Sequence, residues 1–501
     1  MTITRQDVWK HLQRGSPWSD SLLWYARAVG EMQKRPITDK TSWRYLAAMH
    51  GFEPSLWRAQ GYLQPNEKLP PQAEQDRYWQ QCQHQSWYFL PWHRAYLRSF
   101  EEIVRATIAA LEEPGAPRDW ALPYWNYSDR NDPNALKLPA AFAQKSLPDG
   151  SPNPLFVKAR FGASVAAADV DLTHRLAEDR FTGTTVGVLH GIGGPRTPFS
   201  HSGEAEGLIE AAPHDLVHVD VGGRGGLMSD PRTAALDPVF WVHHSNIDRL
   251  WVVWRHRKAD NHDPTDSAWL KGPANRRFAT FDAQGKDLPS TPGDVLDVRK
   301  LGYDYEDISD PLKGAVRRKL RLDEFAAAGG ARIAARGQPM AEKPTAELLG
   351  AGDRSVRLGH ARVSAEVKLA AAPRSRLSES FAQPGDQEPD RVFLNLENIR
   401  GSNGAAKFDV FLGSKKPGAA APRLVGTFSL FGLEAASDQK GAHGGKGLSK
   451  VLEVTQVVDA MHLGHELDSN LLEVQIVPRS DVRDDDGITI GHVSLYRQRQ
   501  P

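Results

Sequence analysis

The chain has 501 residues, long enough for about two or three domains with substantial cores. Its 62 basic residues balance 62 acidic ones without a basic block, which argues against nucleic acid as a partner. One cysteine excludes any internal disulfide, and no stretch approaches the roughly 18 consecutive apolar residues of a membrane span.

In chain order, the polar start from Met1 to Gln13 lacks the roughly 7–15-residue apolar core of a secretory signal. With the cysteine count, this makes a cytoplasmic location the expectation. Ser42–Met49 predicts a helix that ends at His50, with Gly51 as its stop. Trp87–Leu111 predicts a long amphipathic helix, its start marked by Pro91, that carries His93. His84 lies nine residues before His93, a separation that would put the two on opposite sides of one straight helix. They converge only if His84 occupies the segment before that helix. His214 and His218 stand at i, i+4, on one helical face. Asp237 as N-cap and Pro238 at the first helical position open a further helix to Arg257. Its inner stripe is Phe240, His244, Ile247 and Trp251, and His243 lies about 100° round the helix from it.

Two sets of three histidines follow from this: His50, His84 and His93, then His214, His218 and His244. Neither includes a carboxylate or thiolate ligand. Paired tri-imidazole sites favour copper over zinc, which normally takes a three-histidine site singly.

The motifs H-x8-H, H-x3-H and D-P-x-F-x-x-H-H-x-N-x-D-R, in this order, resemble those of the type-3 dicopper proteins: tyrosinases, polyphenol oxidases and haemocyanins. The resemblance implies two copper ions, one on each histidine set, with O2 as co-substrate and small phenols as substrates. His243 then corresponds to a neighbour that is not a ligand. Cys82-Gln83-His84 is similar to the C-x-H of relatives that carry a thioether between the two side chains. Buried cysteine is otherwise an ordinary small hydrophobe. Glu210, four residues before His214, resembles the plant glutamate that holds a water for the phenol proton; Glu206 is its rival, on the bacterial pattern. Asp215 stands where enzymes that hydroxylate monophenols often have asparagine. It has the same shape without the amide donor.

The fold implied is a mainly α catalytic domain over 1–307, a four-helix-bundle core holding the dicopper centre. A connector over 308–350 follows, where Ala, Gly, Arg and Lys dominate. From 351 to 501, short alternating runs at 356–358, 362–367, 391–396 and 472–476 predict an antiparallel β-sandwich or barrel. Lys407–Phe411 and Leu301–Asp307 are similar to segments of the plant polyphenol oxidases, whose N-terminal disulfides this chain lacks. By that resemblance the β domain shields the active site, with Phe428 and Phe431 as candidate shield residues, and makes the enzyme latent. The expected activity is that of a tyrosinase, monophenol to o-diphenol to o-quinone. The rivals are a catechol or o-aminophenol oxidase without the hydroxylation step, and an oxygen carrier. Homo-oligomerisation is left open.

Overall fold

A computed structural model describes residues 2–183, 188, 191–197, 205–259, 261–272, 277–327, 346–381, 389–441 and 444–499. The chain forms two compact units. The first comprises Met1–Leu172, Thr197–His201 and Ala212–Lys313; the second comprises Thr173–Arg196, Ser202–Ala211 and Gly314–Pro501. Two segments that the sequence places in the first domain, 173–196 and 202–211, thus group with the second.

The first unit is helical. Helix α1 (Asp20–Lys34) is capped by Ser19, and α2 (Trp43–His50) by Ser42, whose hydroxyl accepts from the Tyr45 amide at 3.1 Å. The long helix α3 runs Phe89–Ala110. The short α4 (Asp215–Gly222) and the long α5 (Pro238–Arg257) complete the set that bears the inner histidines. Asp237 caps α5 by accepting from Val239, and Pro238 occupies the first turn, where its missing N–H costs nothing. Aromatic side chains fill the space between helices: Phe100 of α3 stacks on Trp241 of α5, ring centroids 3.6 Å apart.

The two ends of this unit meet. Strand β1 (Ile3–Arg5) pairs in parallel with β2 (Tyr303–Tyr305). Arg5, fully buried, donates to Glu101 of α3, to Asp248 of α5 and to the Tyr305 hydroxyl. Asp248 also accepts from Arg94 of α3 at 2.5 Å, and from the hydroxyls of Tyr303 and Tyr305. Burial alone would raise the Asp248 pKa, but the two guanidiniums and two hydroxyls outweigh it and hold the carboxyl below its ordinary range.

The second unit is an eight-stranded antiparallel sheet. Its strands are β3 (Ala346–Ala351), β4 (Val363–Leu369), β5 (Arg391–Ile399), β6 (Lys407–Ser414), β7 (Arg423–Ser429), β8 (Leu448–Glu453), β9 (Leu471–Pro478) and β10 (His492–Gln498). They lie in the order β7-β6-β9-β4-β3-β10-β5-β8. The sheet curls into a near-barrel: a Cβ on Gly426 of edge strand β7 would lie 3.5 Å from Leu452 of the opposite edge, β8. Alternation explains its core, with Val367 and Leu369 on β4 and Val474 and Ile476 on β9 turned inward.

Two expectations meet a different arrangement here. The stretch read as a connector carries a helix, α6 (Arg317–Ala327), tied down by Arg321, which donates to Asp459 and to the Pro389 and Asp390 carbonyls. Phe428 lies on β7 and stacks on Phe408 of β6, centroids 5.4 Å apart, within the sheet's core. It is a core residue, so a shielding role for it is withdrawn. Phe431, just beyond the strand, is buried but outside that cluster. Among the described residues no helix is long and apolar enough to cross a membrane.

Candidate metal centre

The six predicted histidines lie in two groups within the first unit. His50, His84 and His93 gather with Cys82; His214, His218 and His244 gather with His243. Within each group the potential ligand atoms all fall within 4.8 Å of one another. The groups face each other: the His93 and His244 rings stack with centroids 4.5 Å apart, and His84 lies 5.6 Å from His214.

Local structure explains each position. His50 ends α2, and its Nδ1 lies 2.8 Å from the Pro231 carbonyl. That carbonyl can approach because Gly51 has no side chain; a Cβ there would sit 2.4 Å from the Pro231 oxygen. The backbone of Gly51 is extended, so this residue is required by close approach and not by a left-handed stop. His84 occupies the loop before α3, as its spacing demands, between Gln80 and Gln85, both with positive φ. His93 sits in the first turns of α3, with Nδ1 2.8 Å from the Phe89 carbonyl.

In the second group the helix begins later than the motif implies. Ala212 is extended, Glu210–His214 forms a wide turn, and His214 is the N-cap of α4. Its φ/ψ are helical, so the i, i+4 geometry survives, with the His214 and His218 rings 4.5 Å apart. His218 Nδ1 lies 2.8 Å from the Met228 carbonyl, and His214 Nδ1 lies 2.8 Å from Asp215 Oδ1. Phe240 packs on the His244 ring at 4.1 Å and on the His50 ring at 4.8 Å between centroids, touching both groups.

These contacts select the tautomer. A carbonyl or carboxylate at Nδ1 accepts a proton-bearing nitrogen, which leaves the Nε2 lone pair for a metal. Nε2 of His93 has no hydrogen-bond partner although buried. An orphaned buried nitrogen is costly unless something binds it. Burial first, then the neighbouring imidazoles, hold His93, His218 and His244 well below the ordinary histidine pKa, hence neutral and able to ligate. The Nε2 atoms of His218 and His244 stand 3.2 Å apart. Two metal–imidazole bonds of ~2.0–2.1 Å at a tetrahedral angle span about 3.3 Å. The donor set fits a metal ion in each group.

The comparisons with known proteins agree with this centre. Over 99% of this chain and 99% of its own length, Tyrosinase HcTyr1 of Hahella sp. (strain CCB-MM4) is 32% identical to it. The chain belongs to the tyrosinase family. The common central domain of tyrosinase matches residues 40–257 of this family member, and a domain of unknown function matches 345–498. Polyphenol oxidase A1 of Vicia faba is 28% identical over 48% of this tyrosinase-family chain and 40% of its own length. The structure of latent apple tyrosinase shares the fold, with a TM-score of 0.59 at 21% identity, covering 99% of this chain and 97% of that one. A helical catalytic unit joined to a near-barrel β unit is therefore common to both. As a tyrosinase-family protein this is a copper oxidoreductase that takes O2 at a dinuclear centre, and phenolic substrates fit it.

The sequence singles out further residues here but not how they stand. His243 comes within the second group, its Nδ1 3.2 Å from the Tyr127 hydroxyl and its ring stacked on His214. Its adjacency to His244 was the one available signal. Cys82 Sγ lies 3.3 Å from Nδ1 and 3.7 Å from Nε2 of His84, beside both nitrogens that flank the Cε1 carbon. Glu210 is buried. Glu206, its rival, is paired with Lys450, Nζ to Oε1 2.5 Å.

Proposed function

We propose that this protein is a tyrosinase-type phenol oxidase that hydroxylates monophenols to o-diphenols and oxidises these to o-quinones. The observation that carries the reading is the facing pair of histidine groups, four of whose imidazoles have an oxygen acceptor at Nδ1. In this reading His50, His84 and His93 hold one copper ion, and His214, His218 and His244 hold the other. Copper bound there supplies the electrons that activate dioxygen.

The chain's own groups set the rest. Pro231, Phe89 and Met228 carbonyls fix three imidazoles, and Asp215 fixes a fourth. Asp215 is thus a positioning residue for His214, and the negative charge of Asp215 also makes that imidazole a stronger metal donor. Glu210, four residues before His214 and buried, is the carboxylate assigned to the phenol proton. Phe240 needs no chemical role beyond holding two rings in place. The Cys82–His84 contact supports a thioether at Cε1, formed by loss of one hydrogen from each partner with O2 as oxidant. Intact mass of the active, copper-loaded protein should be lighter by two hydrogens; an unmodified mass removes the crosslink.

Oxygen uptake by the copper-loaded full chain tests the function, first with tyramine and then with catechol. Uptake on both, with a lag on the monophenol, is the expected result. Uptake on catechol alone makes the protein a catechol oxidase. We also read the β unit as a source of latency, with Phe431 as its remaining shield residue. Faster uptake by Phe431→Ala supports that; unchanged uptake removes it.

A further inference from the structure

The second unit is built from three separate pieces of chain, and two of them come from the sequence that leads into His214. Backbone hydrogen bonds layer these pieces. Ile192 and Gly193 donate to the carbonyls of Arg180 and Phe181, and Leu208 and Ile209 donate in turn to Gly191 and Ile192. The approach is close enough that a Cβ on Gly207 would sit 2.5 Å from the Gly194 nitrogen.

The strands β5 and β8 hold this layer. Phe393 of β5 forms an apolar cluster with Val188, against which Leu208 and Val451 of β8 pack. Two buried ion pairs flank it. Arg391, at the start of β5, donates to Glu178 at 3.2 Å and also pairs with Glu453 of β8. Lys450 of β8 pairs with Glu206; the two residues are 3% and 8% exposed. The segment so gripped ends at Ala211, three residues before His214, and carries Glu210.

We propose that Lys450 is a positioning residue for the metal centre: through Glu206 it fixes residues 205–211, the chain that delivers Glu210 and His214. Removal of one partner of a buried pair strands the other charge, so the local structure loosens around it. A change in the C-terminal sheet is then transmitted along the backbone to the second histidine group without passing through substrate. The proposal rests on the oxidase reading for its consequence in catalysis, but its physical content is the order of one segment.

Hydrogen exchange of the full-length protein, read by mass spectrometry, tests it. Lys450→Met and Glu206→Gln should each speed exchange of the peptide containing 205–211 on the order of tenfold or more. The β6 and β9 strands should keep their protection, and the swap Glu206→Lys with Lys450→Glu should restore slow exchange. Glu206→Gln keeps shape and hydrogen-bonding capacity, so it serves where Lys450→Met does not fold. Unchanged exchange at 205–211, loosening spread evenly over the sheet, or a swap that fails to restore protection would each overturn the assignment. Catechol turnover measured in parallel reports separately on the function: its absence from the unmodified protein counts against the oxidase reading and leaves the exchange result standing.

Discussion

Single residues decide how the imidazoles stand. Asp215→Asn keeps an acceptor oxygen for His214 but removes the charge. The ratio of monophenol to diphenol turnover should shift, and steady-state rates on tyramine and catechol measure it; an unchanged ratio takes Asp215 out of the mechanism. Gly51→Ala should push back the Pro231 carbonyl that His50 faces, lowering copper content below two per chain by metal analysis while α2 stays folded by circular dichroism. Asp7 offers a pH test. Burial chiefly raises its pKa from 3.8 to about 6, against the Trp9 amide, Lys10 and Arg249. A carboxyl whose folded pKa is raised favours folding below about pH 4, and that contribution is lost as pH rises through about 6. Asp7→Asn should therefore raise the melting temperature at pH 8 and not at pH 4, with an upper bound of about 3 kcal/mol for a shift of roughly two units. The ligand residues were legible because histidine spacing is local. The acceptor of His50 was not, because Pro231 lies 181 residues away and nothing near His50 announces it.

At the scale of elements, α3 and α5 are joined beside their ligands. Arg94 follows His93 directly, and Asp248 is one turn beyond His244, so their buried pair fixes the spacing of two helices where the histidine rings stack. Asp248→Asn leaves Arg94 and Arg5 with a weakened partner. It should cost on the order of 3 kcal/mol or more in urea unfolding and lower copper retention during dialysis. A variant as stable as the parent would show the pair to be dispensable. Helices α2 and α5 could be read to within two residues, since Ser42, Asp237 and Pro238 are capping residues whose chemistry is local, whereas α1 was not read. The late start of α4 was hidden: H-x3-H fits one helix, but Pro213 and extended Ala212 place His214 at its cap. Strands β4, β5 and β9 announced themselves by alternation. Strand β3 did not, since Ala346–Ala351 contains two alanines and a glycine and has little side-chain pattern to read.

Across the whole molecule, the order of the sequence is not the order of the packing. Periodicity assigns a residue to a helix or a strand, but not to a unit. Residues 173–196 and 202–211 join the β unit through Glu178, Glu206 and a few apolar contacts that no local pattern reveals. The helical unit shows the same property at its ends. Arg5 reaches Tyr305 across a separation of 300 residues. During synthesis at about 5–20 residues per second, β1 must wait tens of seconds for its partner to leave the ribosome. All six histidines are made in that interval, before the strand that fastens Asp248 and the two long helices exists. The protein's first strand is thus among the last parts of its unit that can be paired, and until then the metal-binding helices lack that fastening.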